Sequence, residues 1–343
     1  TKSRGLGDVY KRQLREKRKN KAIEKGIFPS DKNIVDSFSN FDSWSNTDEE
    51  SKRMFIKSMA VFAGMLDAMD FHIGRFMSYL KEEDLYENTI FIVTADNGPE
   101  GNDPSDHKPW RDWIKTTIYD RDYDTLGDQD SYVYIGTEFA QATASPSHLF
   151  KFHMSEGGLR VPLIMSGPGI NKGKNHNFAF VTDIAATISD IVFDEVDERI
   201  IGKSLQNSLA GSNENNYEDF EAVGLEVTGN SALFKGNYKI VRNRPPNGSN
   251  QWELYNLHED PGETQDLSKI MPDKLFELIE DYDQYAQING VIELPLDYQW
   301  AEEMTVNTFK RNYLPLLLRA VSVIALTVFV VIYLRRRWKK TQN

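Results

Sequence analysis

Twenty-one residues near the C-terminus, Leu314 to Leu334 (LPLLLRAVSVIALTVFVVIYL), constrain this chain more than any other stretch. At about 1.5 Å per residue, a helix of that length covers roughly 30 Å, the thickness of a hydrocarbon core. The run has no polar face, so it does not suit the surface of a globular protein. Its one charge, Arg319, stands near the start, where a long side chain reaches the headgroups. The block RRRWKK follows at once, bringing Arg335, Arg336, Arg337, Lys339 and Lys340, while Tyr333 and Trp338 suit the interface. A transmembrane helix over 314–334 is therefore expected. The positive-inside bias puts residues 335–343 in the cytoplasm and those before about 312 on the periplasmic or extracytoplasmic side. A removable lipid-anchor signal would not end in so basic a block.

Charge narrows the partners. Residues 1–25 hold 10 basic and 3 acidic side chains, and residues 310–343 hold 8 basic and none acidic. The body between them has 22 basic against 49 acidic, which repels phosphate backbones and argues against a nucleic-acid partner. Apolar residues at 40% and aromatics at 12% are enough to build a packed core. Cysteine is absent, so disulfides, thiolate metal sites and cysteine nucleophiles are excluded from these 343 residues.

Residues 3–13, SRGLGDVYKRQ, read like a translated sequencing-library adaptor. Residues 1–13 are accordingly set aside as a non-native extension, the alternative being a genuine basic N-terminal arm, and the protein proper is expected to begin near Leu14. Residues 14–25 are helix-compatible, and a polar loop from Asp31 to Asp48 carries Phe38, Phe41 and Trp44 as anchors. A long helix is expected over 50–80. Its stripe of Met59, Phe62, Ala63, Leu66, Met69, Ile73, Phe76, Met77 and Leu80 repeats at three-and-four spacing and reads as core. The continuous β-branched and apolar run Thr89 to Thr94 reads as a strand buried on both faces. Arg160–Met165 is a second strand candidate and Phe178–Val181 a third, with Asp183 as a cap before a helix over Ile184 to Ile191. Strands alternating with helices indicate an α/β sandwich with a mostly parallel sheet. Residues 99–140 read as a long polar excursion.

From about residue 212 the texture becomes a small antiparallel unit: Val223–Val227, Ser231–Phe234, Tyr238–Arg242 and Trp252–Tyr255. Lys235-Gly236-Asn237 makes a tight hairpin, and an amphipathic helix from Lys274 to Gln287 closes the unit. The expected organisation is thus an α/β portion over 14–211, an antiparallel subdomain over 212–290 and a linker over 291–313.

Two segments carry chemistry. Asp96-Asn97-Gly98 ends the first strand, where functional groups collect in open α/β sheets. A carboxylate beside a carboxamide offers two hard oxygen donors for calcium or magnesium. As a lone tripeptide, the same residues also make a common turn. The second segment is Lys151-Phe152-His153-Met154-Ser155-Glu156-Gly157-Gly158, in which paired glycines allow a turn that other residues resist. Lys151 there is either an anion-binding point charge or a solvated loop lysine. The six histidines show no metal-ligand spacing; His72 reads as a surface or satisfied core residue, and His153 is the candidate for acid or base work.

Taken together, TADNGPEG at 94–101 and LFKFHMSEGGLRVPLIMSGPG at 149–169 resemble the later half of the sulfatase family, a branch of the alkaline-phosphatase-like superfamily. VTDIAATI at 181–188, GKSL at 202–205, ALFKGNYKIVR at 232–242 and WELYNLHEDPGETQDLS at 252–268 follow in that family's order. The likeness covers about residues 14–290 and is closest in flavour to bacterial arylsulfatases. It implies hydrolysis of sulfate esters by a formylglycine made from the Cys or Ser of a (C/S)-x-P-x-R motif. It also implies a divalent metal, usually calcium and alternatively magnesium, on the sulfate oxygens. Asp96 and Asn97 match the late metal ligands, and Lys151, five residues before Glu156, matches the sulfate-binding lysine.

The departure from the family is the nucleophile. Neither Cys-x-Pro-x-Arg nor Ser-x-Pro-x-Arg occurs, and the nearest pattern, His107-Lys108-Pro109-Trp110-Arg111, has histidine in its place. The early ligands and nucleophile are therefore expected upstream of Leu14, leaving this chain half a site and no turnover by itself. Two other readings remain. One is a phosphodiesterase, phosphonate hydrolase or phosphoglycerol transferase of the same superfamily; the other is a membrane-tethered ectodomain that binds sulfated glycans without catalysis.

Overall fold

The computed structural model describes residues 4–32, 44, 47–103, 119–245, 247–298 and 300–341. Phe38, Phe41 and the His107–Arg111 pattern lie outside the described residues. The chain divides into two units, Thr1–Asn102 with Arg121–Glu293, and Asp103–Asp120 with Leu294–Asn343.

In the first unit, helix α1 (Arg4–Glu24) precedes the long helix α2 (Glu49–Glu82). Asp48 caps α2 by accepting from the Ser51 N–H at 2.9 Å, and Glu49 and Glu50 in the first turn suit the positive end of the helix dipole. The start of its apolar stripe is covered as expected. Met59 joins Trp44, Ile135, Phe139, Ala140 and Phe150 in one core cluster, where Trp44 meets Phe139 edge-on at 5.5 Å. The middle of the stripe is not covered: Leu66, Met69 and Phe76 are exposed, Met69 by 50%. Helix α3 (Gly136–Ala144), which begins inside the span 99–140 read as a loop and runs beyond it, supplies Phe139 and Ala140 to this core. Arg15 of α1 docks on it, donating to the Gln141 carbonyl at 3.0 Å.

Strand β1 (Phe91–Thr94) and strand β2 (Leu163–Ser166) occur where two strands were expected, but two features differ. They pair antiparallel, Phe91 with Ser166 and Val93 with Ile164, so the α/β class stands without a parallel pair among the described residues. The direction of pairing depends on the route of the long segment between the strands, which periodicity does not encode. Nor is β1 buried on both faces: Val93 is 40% exposed and its cross-strand neighbour Ile164 61%. Residues 178–180 form no strand. Helix α4 (Val181–Phe193) follows, with Phe180 as its cap residue. Asp183 sits three positions inside that helix and caps backwards, accepting from the Phe180 N–H at 2.7 Å and the Tyr217 hydroxyl at 2.6 Å.

The remaining strands, β3 (Ala222–Val227), β4 (Asn230–Lys235), β5 (Tyr238–Arg242) and β6 (Glu253–Asn256), form a four-stranded antiparallel sheet in chain order. Gly236, at φ +56°, turns the two-residue hairpin between β4 and β5. Alternation gives this sheet two apolar faces. Leu233, Ile240 and Leu254 pack with Leu278 and Tyr282 of helix α5 (Pro272–Asn289), while Ala232, Val241 and Tyr255 on the other face pack with Met154.

In the second unit, helix α6 (Trp300–Thr308), a π-helical turn (Phe309–Tyr313) and helix α7 (Leu314–Thr341) run on without a break. Among the described residues one helix, Glu302–Trp338, is long and apolar enough to cross a membrane. Helical structure therefore begins within the stretch read as a linker.

Candidate functional site

Two turns meet beside β1. The Gly98 N–H donates to the Gly158 carbonyl at 2.8 Å, and the Lys151 N–H donates to the Pro99 carbonyl at 3.1 Å. Space explains the glycines. A Cβ on Gly98 would lie 1.9 Å from the Gly157 carbonyl oxygen, and one on Gly157 would lie 2.1 Å from that of Leu149. Neither residue has positive φ, so what they supply is close backbone approach rather than the unusual turn expected from paired glycines. The positive dihedrals fall instead on Leu149 (φ +60°) and Phe152 (φ +73°), which flank Lys151. Non-glycine residues hold that conformation at a cost of about 1 kcal/mol each, and such positions cluster at functional sites.

Asp96 is exposed, with Oδ1 accepting from the Asn97 N–H at 3.1 Å. The Asn97 amide nitrogen donates to the Gly98 carbonyl at 2.8 Å, which leaves its oxygen as the atom presented. A carboxylate and a carboxamide oxygen are hard donors and fit part of a calcium shell, which takes six to eight oxygens. No group of three or more His, Asp and Glu suited to a metal occurs among the described residues. Lys151 points its ammonium to Glu100, Nζ to Oε2 at 3.1 Å, and lies 5.2 Å from the centre of the Phe152 ring. Glu100 is itself held, since Oε1 accepts from the backbone N–H and the side-chain amide of Asn102 at 2.8 and 2.9 Å.

His153 is buried, and both ring nitrogens are engaged. Nδ1 donates to the Phe150 carbonyl at 2.9 Å, and Nε2 accepts from the Asn247 amide at 2.8 Å. Burial lowers its pKa against the opposing pull of the backbone bonds, in keeping with a neutral ring that braces the loop. With both ring nitrogens held by protein groups, the acid or base role expected for His153 finds no support in this geometry. His148, whose carbonyl accepts from the Gly157 N–H at 2.7 Å, is brought down to about 4 by burial first and then by nearby positive charge, Arg15 foremost. His72 is exposed on α2 beside Arg75.

Behind the turn lies an ion triad that the sequence did not announce. Lys239 of β5, fully buried, sits 2.8 Å from both Glu156 Oε1 and Glu263 Oε1. The other Glu263 oxygen accepts from the Glu156 N–H at 2.8 Å. Burial opposes the Lys239 charge, but the two carboxylates outweigh it and raise its pKa. Burial also pushes the Glu263 carboxyl up, with Lys239 pulling the other way. Asn243 adds two more ties, accepting from the Met154 N–H at 2.8 Å and donating to the Ser155 hydroxyl at 3.1 Å. Lys239 alternates with Tyr238 and Ile240, so a sheet with one wet face would leave it in solvent. The 153–159 turn, together with Glu263 and the Phe234 ring, covers that face and buries it.

Two family models match the chain: "Sulfatase" over residues 23–194, and "N-sulphoglucosamine sulphohydrolase, C-terminal" over residues 147–282. An uncharacterized sulfatase of Schizosaccharomyces pombe is 31% identical over 75% of this chain and 48% of its own length. An arylsulfatase of Klebsiella aerogenes is 29% identical over 42% of this chain and 32% of its own length. The chain thus spans half or less of these relatives. Among solved structures, Ps i-CgsB in complex with k-i-k-neocarrahexaose has a TM-score of 0.50 at 18% identity, covering 77% of this chain and 51% of that one. That likeness concerns the fold.

Proposed function

Because the chain belongs to the sulfatase family, we propose that it supplies the later half of a sulfate-ester hydrolase site. Asp96 and Asn97 would hold a divalent cation, calcium before magnesium, and Lys151 would bind the sulfuryl oxygens. One observation carries this reading: the Gly98–Gly158 and Lys151–Pro99 backbone bonds lace the aspartate–asparagine turn to the lysine turn. The metal, when bound, supplies Lewis-acid stabilisation of negative charge on the sulfate. Lys151 adds a compact positive charge on the same group, strongest where charge develops as the ester bond breaks. His153 braces the loop. Because no (C/S)-x-P-x-R motif occurs among the 343 residues, the formylglycine nucleophile is taken to come from elsewhere, and no turnover is expected from the chain by itself. The helix Glu302–Trp338 anchors the protein, with Arg335–Arg337 in the cytoplasm and the site unit on the opposite side.

Calorimetric titration of the full chain in detergent micelles tests the assignment. Calcium binding is expected to be lost in Asp96→Ala and Asn97→Ala, and inorganic sulfate binding in Lys151→Met. Metal-dependent hydrolysis of an aryl sulfate by the unaided chain would overturn the placement of the nucleophile. Sulfate binding that survives Lys151→Met would overturn the role of the lysine. The absence of cysteine makes single-cysteine variants clean topology reporters. Asn250→Cys should be blocked by an impermeant thiol reagent from the outer side and Arg337→Cys should not.

A further inference from the structure

The Lys151 ammonium already has an anionic oxygen on it. Glu100 Oε2 lies 3.1 Å from Lys151 Nζ, and the Glu100 carboxylate is pre-placed by two bonds from Asn102 to its other oxygen. Lys151 does not need Glu100 to keep its place. Its backbone is tied to Pro99 and its ammonium lies over the Phe152 ring. We propose that Glu100 is a built-in competitor for the anion seat: a specificity-determining carboxylate that an incoming sulfate group has to displace from Lys151. This rests on the assignment of Lys151 as the sulfate-binding residue.

The charges favour such a device. Lys151 and Glu100 neutralise each other in the ligand-free chain, so the seat does not hold stray anions. Glu100 is the anionic partner of the ammonium, an ion pair at 3.1 Å, until a group with more oxygens and more charge arrives and takes up the three donors of the ammonium. Both side chains are partly open to solvent, Lys151 at 29% and Glu100 at 39%. The competition is therefore modest. Exposed ion pairs of this kind correspond to about a two- to five-fold change in a binding constant.

The test titrates sodium sulfate into the full chain in micelles at constant ionic strength, following the Lys151 side-chain and backbone nitrogen resonances. Glu100→Gln, close in size but uncharged, is expected to bind sulfate about two- to five-fold more tightly than the unaltered chain. Asn102→Ala, which frees the carboxylate from its anchor, should tighten binding by less. Adding Lys151→Met to Glu100→Gln should abolish the gain. If sulfate binds through Lys151 but Glu100→Gln binds equally or more weakly, the competitor role is wrong and the sulfate seat stands. If sulfate affinity does not depend on Lys151 in either background, the seat itself is wrong. Thermal unfolding of each variant separates these outcomes from loss of fold, with Asn102→Ala as the second route should Glu100→Gln be unstable.

Discussion

The two sheets of the first unit make opposite use of apolar side chains. In the β3–β6 sheet, both faces are closed within the chain, and Leu233, Ile240 and Leu254 have no contact with solvent. In the β1–β2 pair, Val93 and Ile164 lie side by side on one face and stay open, as do Leu66, Met69 and Phe76 along α2. Composition does not separate the two regions, since both are rich in Ile, Leu, Val and Phe. What separates them, among the described residues, is whether a covering element packs on the face. The β3–β6 sheet has α5 on one side and the 153–159 turn on the other; among the described residues, β1 and β2 pair only with each other. A two-stranded pair is marginal alone, and here it is held by the backbone bonds that tie its following turn to Gly158 and Lys151.

The sharpest way to break the contrast is through the triad. Lys239→Met leaves two buried carboxylates facing each other and is expected to cost about 3–5 kcal/mol in urea unfolding. Amide exchange at Gly98 and Lys151 should accelerate with it, because Glu156 anchors their shared turn. Leu233→Ala comes next, at about 2–5 kcal/mol for a fully buried leucine in the same measurement. A third expectation concerns pH. The folded-state pKa of His148, near 4, lies below its ordinary 6.5. The stability due to its neutral form is fully present above about 6.5 and is lost as pH falls through 4, on the order of 3 kcal/mol. Glu263 runs the other way, because a raised carboxyl pKa favours folding at low pH. The difference between the pH profiles of the unaltered chain and His148→Gln therefore isolates the histidine. The smallest effect belongs to the open sheet: Ile164→Thr should change stability by less than about 0.5 kcal/mol in this chain. A loss like that of Leu233→Ala would mean that the β1–β2 face is covered in solution.

The same contrast explains what was legible in advance. Alternation and a two-residue hairpin with Gly236 are local signals, so β3 to β6 and α5 fell within a few residues of expectation. The existence of β1 and β2 was equally local. Their antiparallel pairing and their exposure were not, because both depend on which distant segments reach the sheet. Helix α3 was hidden in a polar stretch, where its short apolar face of Phe139 and Ala140 gave little periodicity. For the candidate site, Asp96, Asn97 and Lys151 could be proposed from residue type and motif alone. Glu100 could not be, since its partner lies in another turn and Asp-Asn-Gly-Pro-Glu-Gly reads as an ordinary polar loop. Glu156 stood in plain view as part of the Glu-Gly-Gly turn. Its bond to Lys239 became visible only once the second face of the sheet was seen to be filled by a loop.

That filling has a consequence for anyone who cuts or recombines this protein. The region from β3 to α5 looks like a self-sufficient module, yet its interior is completed by Met154 and Glu156, contributed from far upstream. A chimera that exchanges residues 222–289 while leaving 153–159 behind would strand a buried lysine and carboxylate against mismatched neighbours. The workable unit of exchange is the sheet together with that borrowed turn.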